Sequence, residues 1–162
     1  MSLPRQILGF VGWVVVSFAA AATGGIASTR APSFYAQLAR PEWAPPAWLF
    51  GPVWSVLYLL MGIAAWLVWR EGGFRRQAAP LSLYLAQLVA NALWTWLFFA
   101  WRQGALAFAE IVLLWLLIAA TAAMFWRASK PAALLLLPYL AWVTYAAALS
   151  YTLWQRNPGV LG

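Results

Sequence analysis

Five stretches of roughly 20 residues carry almost no charge, and each is long enough to cross the hydrocarbon core of a bilayer as a helix. They run near Ile7 to Ala27, Ala47 to Trp69, Leu81 to Trp101, Ala105 to Trp126 and Ala132 to Trp154, and they occupy most of the 162-residue chain. What is left between them is too short for a separate soluble domain. Backbone groups in lipid must be satisfied within the chain, which leaves the helix as the expected element for such runs. The expected architecture is an all-α integral membrane protein, a single domain over residues 1–162 built as a five-transmembrane-helix bundle.

Charge is placed as that architecture requires. Ten basic and three acidic residues give a net charge of +7, too little charge for a surface in water on a chain that is 65% hydrophobic. The cations fall in the connections: Arg30 and Arg40 between the first two runs, Arg70, Arg75 and Arg76 before the third, Arg102 before the fourth, Arg127 and Lys130 before the fifth. A nucleic-acid surface would gather them on one polar face, so no nucleic-acid partner is expected. Arg5 followed by an apolar run and Ala19 to Ala22 imitates a signal peptide. The length of that run and the four spans behind it point to a retained helix instead. Six cations on the N-terminal side against four opposite place the N-terminus in the cytoplasm. Cys and His are both absent, which excludes disulfides, thiolate chemistry, zinc cages of the usual kind and a His-ligated haem iron.

Thirteen tryptophans divide by depth. Trp48, Trp69, Trp101, Trp126 and Trp154 stand at span ends, where an indole keeps its ring in lipid and its N–H in water. Trp54, Trp94, Trp115 and Trp142 stand deeper, where the N–H needs a partner other than water; packing against a neighbouring helix or lipid is the simplest account of each alone. Helical spacing adds polar company. Trp54, Tyr58 and Met61 share a face of the second span, Gln87, Asn91, Trp94 and Phe98 a face of the third, and Pro138, Trp142 and Tyr145 a face of the fifth. Asn91 lies near mid-span and is expected to point into the bundle, where it and Gln87 serve either as interhelical hydrogen-bond glue or as ligand contacts.

Pro138 interrupts the fifth span and is expected to bend it. Glu110, the one acid inside a run, is expected to reach the interface or pair with Arg102. Ala20 with Gly24, Ala21 with Gly25, and Ala86 with Ala90 mark close helix approach, within the bundle or across a dimer. The segment RPEWAPPAWLFGPVW, residues 40–54, ends the long first loop. Pro41, Pro45 and Pro46 hold it extended and delay the second helix, whereas Pro52 falls in that helix's first turns, where its missing N–H matters little. Trp43 and Trp48 then form a lid and an interfacial anchor.

"RPEWAPPAWLFGPVWSVLYLLMG", "QLVANALWTWLFF" and "PYLAWVTYAAALS", in that order and spacing, resemble the tryptophan-rich sensory protein and translocator protein family, TspO/MBR, also known as the peripheral benzodiazepine receptor family. The resemblance covers nearly the whole chain. It implies five transmembrane helices, a homodimer, and a pocket within the bundle that binds porphyrins such as protoporphyrin IX and haem, together with cholesterol and synthetic aromatic ligands. It implies a role in tetrapyrrole regulation or transport, with residence in a bacterial cell membrane, and no required cofactor beyond porphyrin or haem as ligand. Matched position by position, the family's pocket tryptophans on the second and fifth helices fall on Trp54 and Trp142, its third-helix asparagine and tryptophan on Asn91 and Trp94, and the Trp and double Pro of its first long loop on Trp43, Pro45 and Pro46. Many members carry Leu-Asn where this chain has Leu149 and Ser150, so a ligand contact by that amide has no counterpart here. Leu149, Tyr151 and Arg156 match a loose sterol-recognition pattern that occurs by chance in many apolar helices ending in Arg.

Three functions compete. The first is a receptor or carrier gripping a flat macrocycle between Trp54, Tyr58, Trp94, Phe98, Trp142 and Tyr145, with Asn91 donating to a polar edge and Arg30 or Arg40 near the acid groups. The second is an enzyme that breaks porphyrin down in light, with Trp54 and Trp142 as redox-active groups; no nucleophile, acid–base pair or metal cage supports ordinary catalysis. The third, a bare transporter, calls for buried charge or broken helices in symmetric halves, and five spans show neither.

Overall fold

The computed structural model describes all of residues 1–162. Five helical rods long and apolar enough to span a membrane run over Leu3–Ala27, Ala47–Trp69, Gly73–Ala100, Gly104–Ala128 and Lys130–Arg156. The protein is a multi-pass integral membrane protein with the five-helix architecture expected from its apolar runs.

Helix α1 (Leu3–Ala27) opens with Pro4 in its first turn, where a helix has no use for the missing N–H. The long loop that follows contains a short helix, α2 (Ala31–Gln37), which no apolar run announces. The second span enters through a 3₁₀ turn at Ala47–Leu49 and continues as α3 (Phe50–Trp69). Pro46 just ahead of it is extended, as the proline cluster predicts, and Pro52 lies in the first turn of α3.

The third span starts earlier than its hydropathy suggests. Helix α4 (Gly73–Thr95) takes in Arg75 and Arg76 before the apolar run begins, and it bends at Gln77, whose φ of −115° and ψ of 30° are not helical. Pro80 accounts for the bend: it has no N–H to return to the Arg76 carbonyl, and its ring crowds that group. The span ends in a π-helical turn, Trp96–Ala100, closed by the Trp101 N–H donating to the Trp96 carbonyl at 2.8 Å. Helix α5 (Gly104–Ala128) is unbroken.

The fifth span is split as Pro138 predicts. Helix α6 (Lys130–Leu135) stops at Leu136, and α7 (Leu137–Arg156) begins with Pro138 in its first turn. A last short helix, α8 (Pro158–Leu161), tucks Leu161 against the bundle, and Trp154 donates its indole N–H to the Gly162 carbonyl at 2.8 Å.

The rods pack as a ring. Helix α1 lies against α3 and α4, α4 against α5, α5 against α6 and α7, and α6 returns to α3. Small residues set the closest approach. A Cβ on Gly62 would stand 3.0 Å from the Val14 backbone, so α1 and α3 approach there main chain to main chain. Of the small pairs on α1, Gly24 packs against Thr95 of α4 within the bundle, while Gly25 has open space where a Cβ would stand. Ala90 is buried and Ala86 exposed, so that pair faces two ways.

Candidate functional site

At the end of the bundle that carries the long first loop, the ring of helices does not close on its axis. A cavity of about 400 Å³ remains, within the range of small-molecule sites. Phe18, Ala21, Gly24 and Gly25 of α1, Phe50, Trp54, Ser55 and Tyr58 of α3, and Asn91, Trp94, Thr95 and Phe98 of the third span line it. Trp142, Ala146, Leu149, Ser150 and Leu153 of α7 complete the wall, and Ala31, Pro32 and Tyr35 of α2 cover it.

Three predicted faces thus converge, though not with every residue expected. Trp54, Tyr58, Asn91, Trp94, Phe98 and Trp142 all reach the cavity. Trp54 meets Trp142 edge to face at 6.5 Å and tilts over Tyr58 at 5.7 Å, while Trp94 stacks on Phe98 at 5.3 Å. Edge and stacked contacts of this kind fix ring planes as well as fill space. Gln87 lies one turn deeper, behind Tyr139, and outside the lining. Pro138 shares the Trp142 side of α7 but is exposed, a turn beyond the cavity. Tyr145 stands just outside, beside Trp142 at 5.6 Å, and turns its hydroxyl to the Trp43 carbonyl. Trp43 is exposed and touches the Tyr145 ring from the loop rather than the cavity. Trp48 is exposed, as an interfacial anchor should be.

Asn91 resolves into a structural part and a wall. It accepts from the Tyr58 hydroxyl at 2.8 Å and donates to the Tyr139 hydroxyl at 2.7 Å, and Tyr139 in turn donates to the Gln87 side-chain carbonyl at 2.7 Å. One hydrogen-bonded chain therefore ties α3, α4 and α7 together beneath the cavity. Tyr139 is the hub that sequence spacing misses. It follows Pro138 directly, and the face drawn through Pro138, Trp142 and Tyr145 turns it away, although it is fully buried. A tyrosine next to a span-breaking proline, in reach of two mid-span amides, is the signal that could have found it.

Helix α2 seals the cavity with aromatic residues that no spacing argument identifies. Phe34 packs edge-on against Phe98 and Phe99, and Tyr35 against Phe50. Burial raises the Tyr35 phenol above its ordinary value, with the Arg40 guanidinium over its ring at 4.8 Å pulling the other way. The phenol stays protonated and donates to the Pro45 carbonyl at 2.6 Å. Asn157 fastens the far end of the loop, accepting from the Ala39 N–H at 2.8 Å and donating to the Ala39 carbonyl at 3.1 Å.

Two further expectations change. Glu110 neither reaches the interface nor pairs with Arg102. It is 8% exposed, and neither carboxyl oxygen has a hydrogen-bond partner, while Arg102 lies over the Phe34 ring at 4.5 Å. The positive φ of Arg102, 52°, turns the chain there and carries its side chain toward α2 instead of α5. Leu149, Tyr151 and Arg156 do not form one surface. Leu149 faces the cavity, Tyr151 packs outside against Phe108, and Arg156 donates to the Arg40 carbonyl in the loop. Of the deep tryptophans, Trp115 finds its partner in Thr144 at 2.8 Å, away from the cavity.

An integral membrane bundle of five spans, with an aromatic cavity under a helical cover, is the class these features define. The model of the TspO/MBR family matches residues 13–155. The chain is 47% identical to the translocator protein of Ovis aries over 128 residues, which span 78% of this chain and 76% of that one. It is 40% identical to the tryptophan-rich protein TspO of Chlorobaculum tepidum over 142 residues, 85% of this chain and 90% of the other. With protein CrtK of Rhodobacter capsulatus it shares 38% identity over 154 residues, 93% of each. This chain belongs to the TspO/MBR family.

Proposed function

We propose that the protein is a membrane receptor or carrier that holds porphyrin-type and similar flat, hydrophobic ligands in the cavity under α2, with a sensory or regulatory role in tetrapyrrole metabolism or transport. One observation carries the reading: three helices contribute indole, phenol and phenyl groups to a single cavity whose lining includes none of the chain's acids or bases. Such walls suit a large apolar ring by stacking and edge contacts. The family's sensory and translocator names support a receptor role in general, and the aromatic lining narrows it to a ligand that is broad and unsaturated.

Without His or Cys anywhere in the chain, the walls grip the macrocycle rather than any metal at its centre. Metal-free protoporphyrin IX and haem are therefore expected to bind with comparable affinity when titrated into the detergent-solubilised protein and followed by tryptophan fluorescence. Haem binding far more tightly would point to metal ligation and contradict this mode. A second reading rests on the edge-to-face pair Trp54 and Trp142 within the cavity, which would let indole side chains exchange an electron with a photoexcited ring. A new absorbance that needs both protein and light, and is lost in Trp142→Phe, would favour that enzyme.

A further inference from the structure

Exposure is unevenly spread over the cavity wall. Where the third span and α7 line it, every residue is buried or half-buried, Asn91, Phe98 and Leu149 among them, so contact with the cavity does not by itself expose a residue. The exposed lining residues are Phe18 and Gly25 of α1, Pro32 at the start of α2, and Gly51 and Ser55 of α3. Helices α1 and α3 are neighbours, and spacings of seven and four residues keep each pair on one helix face. The exposure therefore follows the seam between α1 and α3.

That seam is closed at one end and open at the other. Toward the start of α1, a Cβ on Gly9 would collide with the Trp69 ring, and one on Gly62 would stand 3.0 Å from the Val14 backbone. Further along, Phe18 rests against Tyr58 with ring centroids 6.1 Å apart. Beyond Phe18, nothing lies within 4 Å of a Cβ built on Gly25 or on Gly51, while one on Gly24 would stand 3.3 Å from the Thr95 hydroxyl. At this level α1 leans on the third span and parts from α3. Phe18 precedes Ala27, the last residue of α1, by nine positions, about 14 Å at the helical rise, so the opening faces acyl chains in the loop-side half of the bilayer. The loop end is shut by comparison: Phe34, Tyr35 and Leu38 are buried, Tyr35 is bonded to Pro45, and Asn157 holds both backbone groups of Ala39.

We propose that ligands enter and leave the cavity sideways from the bilayer, through a portal between α1 and α3 rimmed by Gly25, Gly51 and Ser55 with Phe18 as its sill. The proposal rests on the porphyrin reading above and goes beyond it by naming the route and the form in which the ligand arrives, dissolved in lipid. A ring apolar enough to lie among acyl chains, with its acids at the membrane surface, fits that route. Arg30, the residue before Ala31 and Pro32 of the lining, places a cation where those acids would pass.

Protoporphyrin IX added to the intact protein in phosphatidylcholine vesicles, with rates read from tryptophan quenching, tests the portal. Leucine has open space at Gly25, and Ser55 is exposed and bonds only its own helix at the Gly51 carbonyl, so Gly25→Leu combined with Ser55→Leu should fold as the parent does. Association and dissociation should both slow by roughly tenfold, because each passage must move a side chain aside, with affinity kept within about threefold. Asn157→Ala, which unfastens the loop from Ala39, should leave both rates unchanged. Parent-like rates in the doubly substituted protein, affinity lost without slower dissociation, or faster exchange in Asn157→Ala would each overturn the portal and leave porphyrin binding intact. Absence of saturable binding by the parent protein would overturn the porphyrin reading and the route with it.

Discussion

Replacing Trp142 with Ala is expected to weaken porphyrin binding by roughly thirtyfold, the loss of about 2 kcal/mol of buried apolar contact. The indole is central to the site: it faces Trp54 at 6.5 Å and Phe50 at 6.0 Å, and it abuts Tyr145, which is tied to the cover. Removing it widens the cavity and frees Phe50 and Trp54 to turn, so a flat ligand loses both a contact surface and the alignment of the remaining walls. Fold stability should change little by comparison, because Trp142 is only half-buried and its N–H has no protein partner to abandon. Tryptophan fluorescence quenching by porphyrin checks the first statement, and the thermal midpoint in detergent checks the second. Unchanged affinity would remove Trp142 from the site.

Asn91→Leu should show the reverse pattern, a large loss of stability. Leucine matches the size of the amide but leaves the Tyr58 hydroxyl with no acceptor and takes from Tyr139 its donor, both in the buried core. An orphaned buried hydroxyl costs about 1–3 kcal/mol, and interhelical bonds in bilayers fall toward the lower part of that scale, so a total near 2 kcal/mol is expected. Gln87→Leu should cost less. It removes the acceptor of Tyr139, but it also removes Gln87 Nε2, which has no partner in the folded protein. A lower thermal midpoint for Asn91→Leu than for Gln87→Leu is the expected order. Midpoints unchanged from the parent protein in both variants would mean that the chain of four side chains does not act as the tie between α3, α4 and α7.

The contrast between these substitutions shows where sequence reading succeeds. Spans are legible because a bilayer imposes one length and one polarity on every helix that crosses it, and the runs ending at Ala27, Trp69, Trp101, Trp126 and Trp154 satisfy both. The convergence of Trp54, Asn91, Trp94 and Trp142 is legible because helical periodicity survives within an uninterrupted span. Periodicity misleads where its starting residue is wrong. In α7 the buried face runs through Tyr139, Val143 and Ala146, one residue on from the face drawn through Pro138, Trp142 and Tyr145, because that face starts from the exposed Pro138. Helix α2 escapes for another reason: it is seven residues long and packs by contact with Phe50, Phe98 and Phe99, partners far away in the chain. Glu110 escapes because an acid near a span end is ordinarily solvated, and only the three-dimensional packing shows it enclosed.

Filling the cavity tests the central claim most directly. Ala146 lines it from α7, one turn beyond Trp142, and takes no part in the Tyr58–Asn91–Tyr139–Gln87 chain. Phenylalanine there would occupy the space that a ligand ring needs. Titration of the unaltered protein with protoporphyrin IX should give a saturable shift of the porphyrin absorbance band, and Ala146→Phe should lose that shift while keeping its thermal midpoint within a few degrees. Saturable binding of undiminished affinity in a folded Ala146→Phe protein would place the porphyrin somewhere other than the cavity and contradict the account.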